Sequence, residues 1–266
     1  MMYLKMVMKM TSEESKQHMI RNLSQGIRYD GRELKDYRDT EVETGVSSTA
    51  EGSARVKMGD TEVIVGVKLQ VECPFPDRPD EGMLMVGAEL SPLSHSDFEL
   101  GPPSIEGIEV ARVIDRGIRE SGFVDVKQLV SKPGDKSWAV LVDIGPLNVD
   151  GSLFDAGFLG GVLALKDAKF PEYEDEQVDY KHKTDKGLPL SSVPVSVTVV
   201  RIGDQIIVDP IPDEEQLLDS RITVTVLEDG SLTALQKGGD SGLTIDTIDT
   251  MLTTAIEKAE FLRQYV

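Results

Sequence analysis

The chain of 266 residues has a single cysteine, Cys73, which excludes an internal disulfide framework and a multi-cysteine zinc site. Histidine is also scarce. His18, His95 and His182 are scattered, with no metal-ligand spacing. Basic charge is in deficit: 28 Lys and Arg against 47 Asp and Glu give a formal net charge of −19. A field of that sign repels phosphates and discourages unaided nucleic-acid binding, although it leaves room for a local basic stripe or a basic partner. Apolar runs fall well short of the roughly 18 residues that a membrane span needs. The opening "MMYLKMVMKM" has neither a long apolar stretch nor a small-residue cleavage site, so it reads as a disordered or alternative-start segment. These absences point to a soluble, cytoplasmic protein.

What remains is an ordinary globular composition, 39% apolar and 28% charged, in a chain long enough for one large α/β domain or two halves sharing a core. "TSEESKQHMIRNLSQG" has a helix-start signal at Thr11 or Ser12, apolar residues at helical spacing and a closing Gly26. "SARVKMGDTEVIVGVKLQVE" alternates about Gly59-Asp60 and predicts a hairpin, and "SVTVVRIGDQIIVDPI" repeats the plan about Gly203-Asp204. A third hairpin, "RITVTVLEDGSLTALQK", turns at Asp229-Gly230. "SIEGIEVARVIDRGIRESG" predicts a helix with Ile108, Ala111, Ile114 and Ile118 on one face. "SLFDAGFLGGVLALKDA" predicts a buried helix packed closely through its small residues. A final helix carries Ile248, Met251, Leu252, Ala255, Ile256, Ala259 and Leu262, and "FPEYEDEQVDYKHKTDKG" reads as a polar loop between the halves. The expected class is α/β (α+β), with two similar sheet-and-helix halves packed in one domain.

Four places could carry chemistry. "VDPIPDEEQLLDSR" clusters Asp209, Asp213, Glu214, Glu215 and Asp219 after a strand, which suits Mg²⁺ or acid–base work, or a solvated acidic loop. Arg112, Arg116 and Arg119 share a helical stripe, suited to RNA phosphates or to pairing with Glu109, Asp115 and Glu120. "QKGGDSG" lacks the lysine and hydroxyl of a P-loop and reads as a turn into a helix. "IRYDGRELKDYRDTEVETG" places Arg28, Arg32, Lys35 and Arg38 in a non-periodic stretch. It reads either as an arm over the core or as something more specific.

The turn "NVDGSLFDAG" sharpens the question. It joins a strand to a helix start, the geometry that attracts anions, yet it offers no Lys or Arg. "DGR", "EGSARVKMGDTEVIVGV", "IEVARVIDRGIRE", "VDIGPLNVDG" and "VDPIPDEE", in that order from about residue 27 onward, resemble the RNase PH family of phosphorolytic exoribonucleases. The N-terminal helix and the long "YEDEQVDYKHKTDKGLPLSSVPVSVTVV" insertion resemble the larger, non-catalytic ring subunits of archaeal exosomes. The resemblance implies a helical extension over 1–26 and an RNase PH-like domain over 27–266, with halves of about 27–150 and 151–266.

Active members of that family hold the attacking phosphate on a Gly-Gly-Thr-Arg turn. Here Gly151 is kept but Phe154 stands where the arginine should be, with Asp155 beside it. Glu106 takes the place of a second phosphate-site arginine. Arg221 falls about where an aspartate should be, while Glu215 takes the place of the first aspartate and Asp219 lies near. The resemblance therefore implies an inactive paralogue with no catalytic residue, metal or cofactor of its own. Three copies would alternate with a catalytic paralogue that uses phosphate and Mg²⁺. RNA-binding cap proteins would sit on one ring face. Single-stranded RNA would thread the pore past Arg112, Arg116 and Arg119. Two alternatives stand beside this: an active Mg²⁺-dependent phosphorolytic exoribonuclease, and a purely structural ring subunit that does not touch RNA.

Overall fold

The computed structural model describes residues 14, 16–132, 134–174 and 177–266. The Met-rich start and the helix-start signal at Thr11 or Ser12 lie outside these residues. Helix α1, residues 16–24, ends as the closing glycine predicts: Gly26 takes φ +75° and the Ile27 N–H reaches back to the Asn22 carbonyl. Its Met19 and Leu23 are buried against Val200, Ile202 and Ile207.

Two sheets carry the fold. The first comprises β1 (Thr40–Thr44), β2 (Gly52–Met58), β3 (Thr61–Glu72), β4 (Met83–Ala88), β5 (Val130–Lys132) and β6 (Lys136–Asn148). Its order is β1-β2-β3-β6-β4, with β5 also on β6 and β4 parallel to β6. The predicted alternation is plain in β3, where Val63, Val65, Val67 and Leu69 are buried and the residues between them are partly open. The second sheet comprises β9 (Val195–Ile202), β10 (Gln205–Val208), β11 (Ser220–Val226) and β12 (Leu232–Gly238), in the order β10-β9-β11-β12. All three predicted hairpins form, with Gly59, Gly203 and Gly230 each at positive φ in their turns.

Helix α3 (Leu153–Asp167) packs against strands of both sheets and is buried nearly all round. Close approach is built into its sequence: a Cβ on Gly160 would lie 2.7 Å from Val65 Cγ2. Helix α5 (Ile245–Arg263) covers the second sheet through Met251, Ala255, Ala259 and Leu262. Ile256, expected on that face, is instead 38% exposed, and Thr254 is buried in its stead, its hydroxyl satisfied by the Thr250 carbonyl.

Helix α2 (Ile105–Glu120) lies against β4, β12 and α3. Its buried face corrects the sequence reading: Gly107, Val110, Ile114, Gly117 and Ile118 face inward, whereas Ile108 is 47% exposed and Ala111 half-buried. The cause is again close packing. A Cβ on Gly117 would lie 2.5 Å from Phe158 Cε2, so the helix seats itself on residues that look neutral in a hydropathy pattern. The stretch read as a polar loop also differs. It forms an antiparallel pair, β7 (Lys169–Glu174) with β8 (Gln177–Gly187). Its strands lack alternation because most of β8 faces water. Phe170 and Tyr173 anchor the pair edge-on to Trp138, with ring centroids 5.2 and 5.7 Å away.

Candidate functional site

The turn between β6 and α3 has the backbone of an anion cradle. Gly151 takes φ +82°, with the Pro210 carbonyl so close that no Cβ would fit. Ser152 takes φ +57°, a left-handed conformation that costs a non-glycine residue energy. The turn is held from below: Thr61 Oγ1 donates to the Gly151 carbonyl at 2.6 Å and accepts from the Asp150 N–H at 3.0 Å.

The cradle is already in use. The Ser152 N–H donates to Glu215 Oε1 at 2.8 Å, so a carboxylate of the same chain sits at the positive end of α3. Glu215 comes from α4, the single turn Pro212–Glu215. Burial pushes its carboxyl up to about 7, against the opposing pull of the Ser152 N–H and Arg221.

Phe154, the second residue of α3, is capped by Arg221, whose guanidinium carbon lies 4.5 Å from the ring centroid. Arg221 Nη2 meets Glu109 Oε1 at 2.6 Å. On the side of Gly238 there is no room for a side chain: a Cβ there would lie 2.6 Å from Arg221 Cζ. Glu106, in the first turn of α2, completes the group. Lost hydration raises its carboxyl, with Glu109 adding to the shift and His95 and Arg221 opposing it. Glu106, Phe154, Glu215 and Arg221 thus come together, although they are far apart in the chain.

Asp155 does not share this site. It is fully buried and accepts the Tyr37 hydroxyl at 2.7 Å, and burial raises its carboxyl to about 6. Although Asp155 follows Phe154 in sequence, its side chain turns into the core and faces away from the cradle. Tyr37 in turn stacks on Phe261. No motif pointed to this pair, since a tyrosine in an irregular arm has no periodicity to reveal its partner.

The acidic segment and the basic arm answer each other. Arg28, buried, makes two bonds to Glu214, 2.9 Å from Nε to Oε1 and 2.6 Å from Nη2 to Oε2. Arg32 and Arg38 both bind the Asp209 carboxylate, and Arg38 also donates to the Asp150 carbonyl at 2.6 Å. The arm is a clasp over the core. Asp219 is elsewhere, bound to Lys16 at 2.7 Å and to the Gly203 N–H. Asp213 is exposed, and Lys35 lies 4.0 Å from Glu257. "QKGGDSG" is the end of β12 and the turn into α5, whose start Thr244 caps.

Along α2, a groove of about 950 Å³ is lined by Met85, Ile108, Arg112, Arg116 and Gln236. Arg119 is committed, with Nη2 on the Leu84 carbonyl at 2.7 Å and both donors on Asp115. Arg116 makes one long bond, 3.4 Å, to Gln236 on β12. Arg112 is exposed and has no hydrogen bond or ion pair among the described residues. Glu109, predicted as a partner of the stripe, is taken by Arg221.

No described helix is long and apolar enough to cross a membrane. The 3′ exoribonuclease family matches in both of its domains, domain 1 over residues 36–171 and domain 2 over residues 192–258. The chain is 45% identical to the exosome complex component Rrp42 of Methanocella arvoryzae over 241 residues, 91% of each chain. It is 43% identical to that of Methanopyrus kandleri, again over 91% of each. Its fold superposes with a TM-score of 0.88 on a chain of the Archaeoglobus fulgidus exosome solved with RNA bound to the active site. That match is 41% identical and covers 96% of this chain and 98% of the other. A chain of an archaeal exosome core gives 0.84 at 37% identity. With both family domains matched in order and relatives of this identity along nearly the whole length, the chain belongs to the RNase PH family of 3′ exoribonucleases.

Proposed function

We propose that this chain is a non-catalytic subunit of an archaeal exosome ring, supporting 3′-to-5′ phosphorolytic degradation of RNA by a catalytic paralogue. One observation carries the reading: the phosphate cradle is filled from within. The amide that would face a phosphate holds Glu215, and the aromatic ring in the arginine's place is covered by Arg221. A phosphorolytic site needs oriented cations for an attacking dianion, and loss of one oriented donor commonly costs about 3–4 kcal/mol of transition-state stabilisation. By the resemblance, Glu106 and Phe154 take both of the positions where active members carry arginine.

The positive work of the subunit lies on α2. Arg112 offers a whole guanidinium to a phosphate backbone, and Arg116 gives up only one long bond to do the same. Arg119 contributes charge from the same stripe while tied to Asp115. Such contacts are to phosphate and largely independent of base sequence. Phosphate and Mg²⁺ act in the partner subunit, in a ring of three heterodimers with RNA-binding cap proteins on one face.

The test is phosphate-dependent release of nucleoside diphosphates from a short single-stranded RNA. This chain, the catalytic paralogue and their mixture are assayed separately with Mg²⁺. Silence from this chain alone, with strong stimulation in the mixture, is expected. Activity of this chain alone would overturn the reading.

A further inference from the structure

We propose that the emptied catalytic cleft has become a brace: the Glu109–Arg221–Phe154 stack, closed by Gly238, holds α2 so that Arg112 and Arg116 face the RNA. The inference rests on the RNA-contact reading above and deepens it by naming positioning residues for that face.

The geometry is that of a fitted insert. Arg221 leaves β11 and lies with its guanidinium between the Phe154 ring and the Gly238 backbone, where only the lack of a side chain makes room. Its outer end is fixed by Glu109, three residues before Arg112 on α2. The Arg221 side chain is 16% exposed and that of Glu109 37%, so the pair is sheltered at its arginine end and open to water at its carboxylate end. A planar guanidinium can stack and form the ion pair at once, and a lysine can do only the second. Four elements, α2, α3, β11 and β12, meet at this one side chain. The other polar ties of α2 run to β4 through Arg119 and to β12 through Arg116. Arg112 sits between these fixed points, itself unpaired among the described residues.

A brace and a simple field effect predict different signs. Through the field alone, Arg221→Gln removes a cation near the RNA and weakens binding, while Glu109→Gln removes an anion and strengthens it. Through the brace, both substitutions release α2 and both weaken binding. The experiment measures RNA affinity of the assembled ring, at two salt concentrations, for Arg221→Gln, Glu109→Gln, their double variant, Arg221→Lys and Arg112→Ala. Expected are losses of roughly threefold to tenfold for each single Gln variant, with no further loss in the double. Arg221→Lys recovers part of the affinity, and the salt slope changes only for Arg112→Ala. Hydrogen exchange of the α2 amides in the same rings should quicken for Arg221→Gln and Glu109→Gln.

If Glu109→Gln strengthens binding, or if Arg112→Ala weakens it while Arg221→Gln does not, the brace is overturned and the RNA-contact reading stands. If Arg112→Ala also leaves affinity unchanged, the RNA-contact reading falls, and the brace falls with it as a device for RNA.

Discussion

Glu215 and Asp155 are carboxyls that the fold holds partly against their nature, at about 7 and about 6 where 4.5 and 3.8 are ordinary. Burial is the main cause in both. A folded-state value above the unfolded one means that the folded chain holds the proton more tightly. The stability each group contributes is therefore fully present below its ordinary value and is lost as pH rises through the folded value. Urea unfolding across pH 4 to 8 should show stability falling between about 4.5 and 7, and Glu215→Gln should flatten that part of the curve. Asp155→Asn should act on a lower window, between about 4 and 6. Much of this site was legible as residue identities. The resemblance singled out Phe154, Glu106 and Arg221 from three separate stretches, and the fold brings them together. A motif cannot show direction. Asp155 is adjacent to Phe154 in sequence but points into the core, because consecutive positions on a helix diverge by about 100°.

Glycines decide how the elements meet. Gly160 lets α3 rest on β3, and an added Cβ at 2.7 Å from Val65 forces the two apart. Gly160→Ala should destabilise the chain by about 1–3 kcal/mol in thermal or chemical unfolding, with the fold retained. The clasp is the other element-scale device. Removing one partner of a buried ion pair leaves the second charge stranded, so Arg28→Ala, which abandons buried Glu214, should cost about 3–5 kcal/mol in the same measurements. The hairpins were readable because alternation and a Gly-Asp or Asp-Gly turn are local signals. The face of α2 was misread because its contacts run through Gly107 and Gly117, residues that carry no hydropathy. The β7–β8 pair was missed because its hold on the first sheet depends on aromatic edges reaching Trp138, a contact made across the fold.

Across the whole molecule, charge is divided by location. The net charge of −19 leaves cations outnumbered, and most arginines are spent within the chain: on the clasp, on Asp115, on Glu109 and on backbone carbonyls. Arg112 is the one on α2 left unpaired among the described residues, with Arg116 lightly held. RNA binding by the assembled ring should therefore depend on these side chains out of proportion to their number. Arg112→Ala should lower the slope of log affinity against log salt by about 0.7 for each subunit in contact with single-stranded RNA, measured by fluorescence anisotropy.

The clasp also bears on how the chain is made. Arg28 and Glu214 are separated by 186 positions, and Arg32 and Asp209 by 177. At roughly 5–20 residues per second, a ribosome needs about 10–40 s to cover that distance. Throughout that interval Arg28 and Arg32 lack these partners while ribosomal RNA lies close by. The first sheet can pair its own strands in that time, and Arg38 and Tyr37 can reach Asp150 and Asp155, but Arg28 and Arg32 wait for the acidic turn to emerge. Translation of the second half is thus the step that finishes the first.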